Sequence, residues 1–502
     1  MLTAALARHP EKMAIAFEQQ SWTYSELDRI TSDLARNLSS AGVAPGDRVA
    51  LHLQNRPELA FAILACLKAG CIMVPINTRL KGPEIDYILR HSGAAFYIGQ
   101  ADLYAELERS CPAIASLEAR YLTDAPNAGG TIHFGELLRP ANASVALPEV
   151  APTQIAAILY TSGTTAHPKG VTHTNRSLAH MADCMRDMHL DETQVVLILS
   201  SMAHMIGLGM LLLSGLLNGA SIVIARPMEC EENLKAFARW RCTYIFALPV
   251  MFGGLVRAQT IAEEDMSSGK FFFSGGDSLS PSVKQTFEAE IGPVLEAYGA
   301  TEIAPICWNS PAESCPGSLG RPCKETEIRL INRNGQEAGD GEVGEVCVLG
   351  PHLMAGYWQD EAATAAALQD GWFRTGDLAR RDSNGFYQFA GRTKEIVVRG
   401  GSNVSPQEVE AALYDHPAVS EVGVIGSPDP IWGESVVAYV VLRPGCAASE
   451  AELISFARER LADYKTPEKI FFLNQLPKSP SGKVQRRALR EAERQAALAQ
   501  TL

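Results

Sequence analysis

Between Tyr160 and Gly170 the chain reads YTSGTTAHPKG, which sets four hydroxyl side chains (Thr161, Ser162, Thr164, Thr165), two glycines (Gly163, Gly170) and Lys169 directly after the apolar run Ile155 to Tyr160. A strand that empties into a small, hydroxyl-rich turn aims backbone N–H groups and O–H donors at one point. A polyphosphate has the acceptor oxygens and the charge to use them. The turn is not a Walker A loop, because Val171 follows Gly170 and no Gly-Lys-Ser/Thr is present. Taken alone, the segment also reads as a flexible surface turn.

The elements that must position this turn are legible in outline. Up to about Asn309, strand-length apolar runs alternate with helix-length amphipathic stretches, as in Arg48 to Leu53, Pro57 to Lys68 and Ile72 to Ile76. Such alternation predicts α/β layers with largely parallel sheets. From Gly317 to about Tyr387 short strands such as Glu327 to Asn332 and Gly344 to Leu349 alternate with Gly/Asn/Asp turns, which predicts a compact β subdomain. After Lys394 comes a small α+β unit with strand-like runs Glu395 to Val398, Glu421 to Ile425, Ser435 to Leu442 and Ile470 to Leu473. Its two helices open on Ser405-Pro406-Gln407-Glu408 and Ser449-Glu450-Ala451-Glu452, each with an N-cap serine and a glutamate at the third helical position. The domains are therefore drawn as 1–393 and 394–502, with the boundary in the charged stretch Gly391 to Glu395.

Composition bounds the function. A chain of 502 residues exceeds one simple core, and 46% hydrophobic with 20% charged residues describes an ordinary globular protein. The net charge of −13, with no basic block, argues against general nucleic-acid or anionic-membrane binding. Eleven cysteines without C-x-x-C or zinc-ligand spacing fit reduced thiols in a cytoplasm. Arg8, His9, Glu11 and Lys12 interrupt the N-terminus before a secretory core could form, and Gln500-Thr501-Leu502 is not a peroxisomal tripeptide. Val195 to Ala225 lacks charge over a membrane-helix length, but His204, Asn218 and four glycines favour a strand, a loop and a buried helix over a membrane span.

Six segments, in order, carry a resemblance: YTSGTTAHPKG, FSGGDSLS (Phe273 to Ser280), AYGATE (Ala297 to Glu302), GWFRTGDLAR (Gly371 to Arg380), GRTKEIVVRGGSNVSPQEVE (Gly391 to Glu410) and PKSPSGK (Pro477 to Lys483). The chain resembles the adenylate-forming superfamily, which comprises acyl- and aryl-CoA synthetases, peptide-synthetase adenylation domains and firefly luciferase, and it does so over essentially its whole length. The acyl-CoA synthetases are the nearest branch, on the stretch Ala462 to Pro467. The resemblance implies a large N-terminal domain of layered α/β sheets with a β subdomain, and a small mobile α+β C-terminal domain.

It also implies chemistry. A carboxylate attacks the α-phosphate of ATP to give an acyl-adenylate and pyrophosphate, a transfer served chiefly by positioning and charge neutralisation. Thr161, Ser162, Gly163, Thr164, Thr165 and Lys169 would hold the departing phosphates. Glu302 would ligate Mg²⁺, with Thr161 or Thr301 nearby. Ala297, Tyr298, Gly299, Ala300 and Thr301 would form the nucleotide strand, with Tyr298 against adenine and Gly276 admitting the ring. Asp377 would bind the ribose hydroxyls and Arg392 the ribose or α-phosphate; a structural salt bridge is the alternative for both. Lys483 would bridge carboxylate and α-phosphate as charge develops. Rotation about Lys394 would then swing Lys483 out and bring in Gly400-Gly401, where the pantetheine arm of CoA passes close to the backbone.

Ala166 departs from the family, which usually has glycine there; a positive φ at that position would strain the methyl group and put the contact of Lys169 in doubt. The acid-binding positions implied are His204, Phe246 to Met251, Gly275 and Ala300. His204 reads equally as a core histidine satisfied by a backbone carbonyl. Met202, Met205, Leu208 and Met210 suggest an apolar pocket, and no arginine is placed for a second carboxylate. Medium- or long-chain fatty acids and aromatic acids both stay open, with the methionine and aliphatic content favouring the former. The leading reading is an AMP-forming acyl-CoA synthetase using a small-molecule carboxylic acid, ATP, Mg²⁺ and CoA. A freestanding adenylation enzyme would instead turn over with a holo carrier protein, and a noncatalytic nucleotide-binding protein would release no pyrophosphate. Monomer and homodimer are both open.

Overall fold

The computed structural model describes residues 3–127, 129–161, 168–226, 229–262, 264–277, 279–393, 395–399, 402–429, 431, 433–479 and 482–499. The chain divides into two compact units, Met1–Glu327 with Val348–Phe373, and Ile328–Cys347 with Arg374–Leu502.

The first unit is built on two large sheets. Nine strands run in the order Arg321–Pro322, Ile303–Trp308, Val294–Ala300, Phe271–Gly275, Tyr244–Ala247, Val195–Ile198, Ser221–Ile224, Met13–Phe17, Gln20–Thr23. The eight-stranded sheet runs Gly356–Tyr357, Lys169–Thr174, Ile155–Thr161, Ile72–Pro75, Arg48–His52, Phe96–Gln100, Ala119–Thr123, Ile132–His133. Most neighbours are parallel, as Arg48–His52 beside Ile72–Pro75, while Gln20–Thr23 beside Met13–Phe17, Ile303–Trp308 beside Val294–Ala300 and Lys169–Thr174 beside Ile155–Thr161 are antiparallel.

The largest apolar cluster draws on both sheets and on helices Tyr24–Ser40, Pro57–Ala69 and Asn175–Asp187 between them. Pro57–Ala69 is apolar on nearly every face, as a helix enclosed between layers must be. It starts with proline at its first turn and ends on Gly70 at φ +69°, a left-handed cap. Two further clusters cover the outer faces: Leu234, Phe237, Phe252 and Phe287 against one sheet, and Ile85, Ile88, Tyr104 and Leu107 against the other. The expected α/β layering is thus present.

The charge-free stretch resolves into strand Val195–Ile198, π-helix Ile206–Leu213, a helical turn Ser214–Leu217 and strand Ser221–Ile224. Among the described residues no helix is long and apolar enough to cross a membrane. A side chain at Gly207 would strike the carbonyl of Ser201, and one at Gly209 the sulfurs of Met205 and Met181, so both glycines let the π-helix pack where it does.

The second unit contains hairpin and α+β parts. Trp372–Arg381 pairs with Tyr387–Arg392, and strands Val397–Arg399, Ser402–Val404, Val419–Asp429, Gly433–Leu442 and Lys469–Phe472 form a five-stranded sheet. Helices Pro406–Tyr414, Glu450–Arg458 and Arg486–Ala499 accompany it, one strand and one helix more than the sequence texture shows. Ser449 caps as expected, accepting from the Glu452 amide at 3.2 Å in a full capping box. Ser405 does not, because its Oγ is turned to Gln407 Oε1 at 3.1 Å. The expected β subdomain also loses Gly356–Tyr357, which joins the eight-stranded sheet instead, because its backbone pairs with Lys169–Thr174.

Candidate active site

Thr161 and Lys169 face each other at the end of the ladder between strands Ile155–Thr161 and Lys169–Thr174, with Tyr160 opposite Gly170. The ladder therefore brings a hydroxyl and an ammonium to the two feet of the turn. Ser162, Gly163, Thr164, Thr165 and Ala166 lie outside the described residues.

The next strand along, Gly356–Tyr357, pairs with the same hairpin, setting Gly356 opposite Thr172 and Tyr357 opposite Val171. Thr172 Oγ1 donates to the Gly356 carbonyl at 2.7 Å, and the Trp358 amide donates to the Gly170 carbonyl at 2.7 Å. Since alternate residues of a strand share a face, Tyr357 lies diagonally across from Lys169. The Lys169 ammonium sits 4.5 Å from the centroid of the Tyr357 ring, a cation–π distance. The phenol of Tyr357 donates to Glu302 Oε1 at 2.9 Å. Burial and the adjacent Glu302 carboxylate push the phenol's pKa far up, so it stays a donor throughout the physiological range.

Glu302 lies in the turn between Val294–Ala300 and Ile303–Trp308, where Ala300 pairs with Ile303 and the register slips between Tyr298 and Ala300. The Met354 amide donates to the Glu302 carbonyl at 2.7 Å. Two buried histidines pin neighbouring backbone: His173 Nε2 donates to the Thr301 carbonyl and His352 Nε2 to the Pro305 carbonyl, each at 2.8 Å. Burial lowers both imidazoles to about 4, so each stays neutral with its Nε2 proton in place.

Of the residues expected to meet adenine and the acid, Gly275, Gly276 and Ala300 lie at or just past the carboxyl ends of two adjacent parallel strands, where open α/β sheets bind ligands. Gly275 pairs with Ala297 at the end of Phe271–Gly275. A Cβ there would lie 2.8 Å from the Ala297 carbonyl and 2.9 Å from the Phe246 ring, so only glycine fits. Gly276 adopts φ +86°, a second position that favours glycine. Tyr298 is half-buried on the adjoining strand.

Phe246 belongs to the core between the sheets and stacks with Phe273 at 6.0 Å. Met251 packs instead with the cluster on the outer face, where Ser200 Oγ approaches its sulfur at 3.8 Å. Phe246 and Met251, both expected to surround the acid, thus pack in different apolar clusters. His204, half-buried, has Asn77 as partner: the Asn77 amide donates to His204 Nε2 at 3.0 Å.

In the second unit Asp377 and Arg392 are direct neighbours. Their backbones pair in the hairpin, and Arg392 Nε lies 2.9 Å from Asp377 Oδ1. Lys483 sits in a tight turn closed by Ser479 N–H to the Lys483 carbonyl at 2.7 Å, with Gly482 at φ +87°. Lys394, Gly400 and Gly401 lie outside the described residues.

Arg486, three residues past Lys483, pairs with Glu395 at 3.0 Å and bidentately with Glu410 at 2.7 Å. Glu410 is buried, which raises its pKa against the opposing pull of Arg486, and its Oε1 also accepts the Val424 amide at 2.8 Å. Tyr357, Asn77 and Arg486 are absent from the residues singled out by sequence, and Glu410 appears there only as the end of a motif. A motif-sized signal existed for the last pair alone, in SPQEVE and GKVQR.

Residues 2–358 match the model of the AMP-binding enzyme family, and 408–483 that of the AMP-binding enzyme C-terminal domain. A feruloyl-CoA synthase of Amycolatopsis is 34% identical over 479 residues, covering 95% of this chain and 94% of that one. A long-chain-fatty-acid–CoA ligase of Bacillus subtilis is 32% identical over 98% of this chain and 94% of its own. The crystal structure of the anthranilate CoA ligase AuaEII in complex with anthranoyl-AMP superposes with a TM-score of 0.92 at 28% identity, covering 99% and 97% of the two chains. With both of its parts matched and relatives aligned nearly end to end, this chain belongs to the AMP-binding enzyme family.

Proposed function

We propose that this chain is an ATP-dependent carboxylate–CoA ligase. The carboxylate oxygen attacks the α-phosphorus of ATP and pyrophosphate leaves; the thiol of CoA then attacks the acyl carbon and AMP leaves. The observation that carries the reading is the grouping of Lys169, Tyr357 and Glu302 beside the hydroxyl-rich turn, in a chain matched over nearly its full length by such ligases.

The roles follow from charge and reach. Thr161, Lys169 and the turn between them take the departing phosphates. Tyr298 and Gly276 take adenine, and Asp377 and Arg392 take ribose and α-phosphate in exchange for each other. Lys483 neutralises the transferring group in the first step, and Gly400-Gly401 admits the thiol arm in the second, with Lys394 as the hinge between domains 1–393 and 394–502. Mg²⁺ takes few protein oxygens and leaves the rest of its shell to phosphate and water. Glu302 with the hydroxyl of Thr161 or Thr301 would be a donor set of that kind. Bound there, the ion would neutralise phosphate charge.

The acid is a monocarboxylate with an apolar body, a medium- or long-chain fatty acid or an aromatic acid. Gly275, the Phe246 ring behind it and half-buried His204 support an apolar wall with one polar edge. Eleven free thiols support a cytoplasmic setting, and sedimentation of the purified chain separates monomer from homodimer. Pyrophosphate release across a panel of carboxylic acids, with and without CoA, tests the function. Thioester formed from an apolar acid only with CoA supports it; loading of a carrier protein alone, or no release with any acid, refutes it.

A further inference from the structure

The contacts around Tyr357 reach two charged groups of opposite sign. Its ring face carries the Lys169 ammonium at 4.5 Å, and its hydroxyl donates to Glu302 Oε1 at 2.9 Å. The tyrosine itself is fixed on three sides. Its backbone pairs with Val171, its amide donates to Thr364 Oγ1 at 2.9 Å, and the preceding Gly356 leaves no room for a side chain against Thr364. A rigid ring thus stands between a mobile four-carbon cation and a carboxylate, and each would otherwise be drawn to the other. At a direct contact they would neutralise each other and offer neither charge to a nucleotide.

We propose that Tyr357 is a positioning residue for Mg²⁺·ATP: it keeps Lys169 and Glu302 apart and aimed, the ring face parking the ammonium and the phenol orienting the carboxylate. The inference rests on the reading of Lys169 as a phosphate contact and Glu302 as the metal ligand. It assigns a function to a residue outside the hydroxyl-rich turn and outside the turn that carries Glu302. The two duties separate chemically, because phenylalanine keeps the face and loses the hydroxyl, whereas leucine loses both.

The test is equilibrium ATP binding by calorimetry, with and without Mg²⁺, on the intact chain. Wild type should gain affinity on adding Mg²⁺. Tyr357→Phe should shrink that gain about tenfold, the scale of one hydrogen bond to a charged group, while leaving Mg²⁺-free affinity and melting temperature near wild type. Tyr357→Leu should also weaken Mg²⁺-free binding, and Lys169→Ala should abolish this extra loss. In a Glu302→Gln background, Tyr357→Phe should have no further effect. A full Mg²⁺ gain in Tyr357→Phe, with Glu302→Gln impaired, overturns the role of Tyr357 and leaves the metal assignment intact. A full gain in Glu302→Gln overturns the assignment beneath it. Additive losses in the double variant also overturn the proposal.

Discussion

Arg392 Nε lies 2.9 Å from Asp377 Oδ1, across a hairpin that also pairs their backbones. Asp377 is buried, whereas the side chain of Arg392 is 49% exposed. An exposed arginine tied to a buried carboxylate is the partner that can leave when a nucleotide arrives. Asp377→Ala should raise the KM for ATP about 10- to 100-fold, the equivalent of losing charged hydrogen bonds of ~1.5–3 kcal/mol. Its melting temperature should change little. A large drop in melting temperature with unchanged KM would make the pair purely structural.

The Arg486 pair leads to a stability expectation. Glu410 is buried, and Arg486 meets both of its oxygens. Arg486→Met removes one charge and strands the other, which typically costs ~3–5 kcal/mol. Chemical denaturation followed in the second unit should show that loss, and Arg486→Met with Glu410→Leu should recover much of it. A double variant no better than the single would contradict the pairing.

Acid should destabilise the fold through three histidines. His52, His173 and His352 are held at about 4 by burial, against an ordinary value of 6.5. Between those values the unfolded chain binds protons that the native chain refuses. Stability present above pH 6.5 therefore declines as pH falls, and this contribution is gone near pH 4. The slope can reach ~1.4 kcal/mol per pH unit for each histidine. Urea midpoints measured from pH 7 to pH 5 check this, and His352→Gln should flatten the curve; an unchanged slope would contradict it.

How much of this was legible follows from range along the chain. Pro57–Ala69 and the strands on either side of it declare themselves as bounded apolar runs of helix and strand length, although the helix, expected to be amphipathic, is apolar on nearly every face because it is enclosed; Ser449 declares its helix by capping chemistry. Ser405 carries the same local signal, yet its hydroxyl donates to Gln407 Oε1 and is oriented by that side chain two residues on instead of accepting from a helix amide. Gly356–Tyr357 has no periodicity to read; it is a two-residue strand whose place depends on a hairpin far behind it in sequence. The hydrogen bond from Tyr357 to Glu302 spans 55 residues, and that from Asn77 to His204 spans 127. Motif spacing marks the charged groups proposed to serve a nucleotide. It is blind to the neutral side chains that hold them.

The second half-reaction has its own variant. Gly401→Leu should block the approach of the thiol arm and spare adenylate formation, so that acyl-AMP accumulates and thioester does not. Mass analysis of a single turnover reads both species. Unchanged thioester yield would remove Gly400-Gly401 from the thiol path.

The central claim is that Lys483 serves the first step and not the second. Pyrophosphate exchange and conversion of supplied acyl-AMP with CoA, measured side by side on Lys483→Ala, test it most directly. The account expects exchange to fall about 10²- to 10³-fold, the scale of one preorganised charge contact in a transition state, with thioester formation from acyl-AMP near wild type. Equal loss in both assays, or full exchange activity, would contradict it.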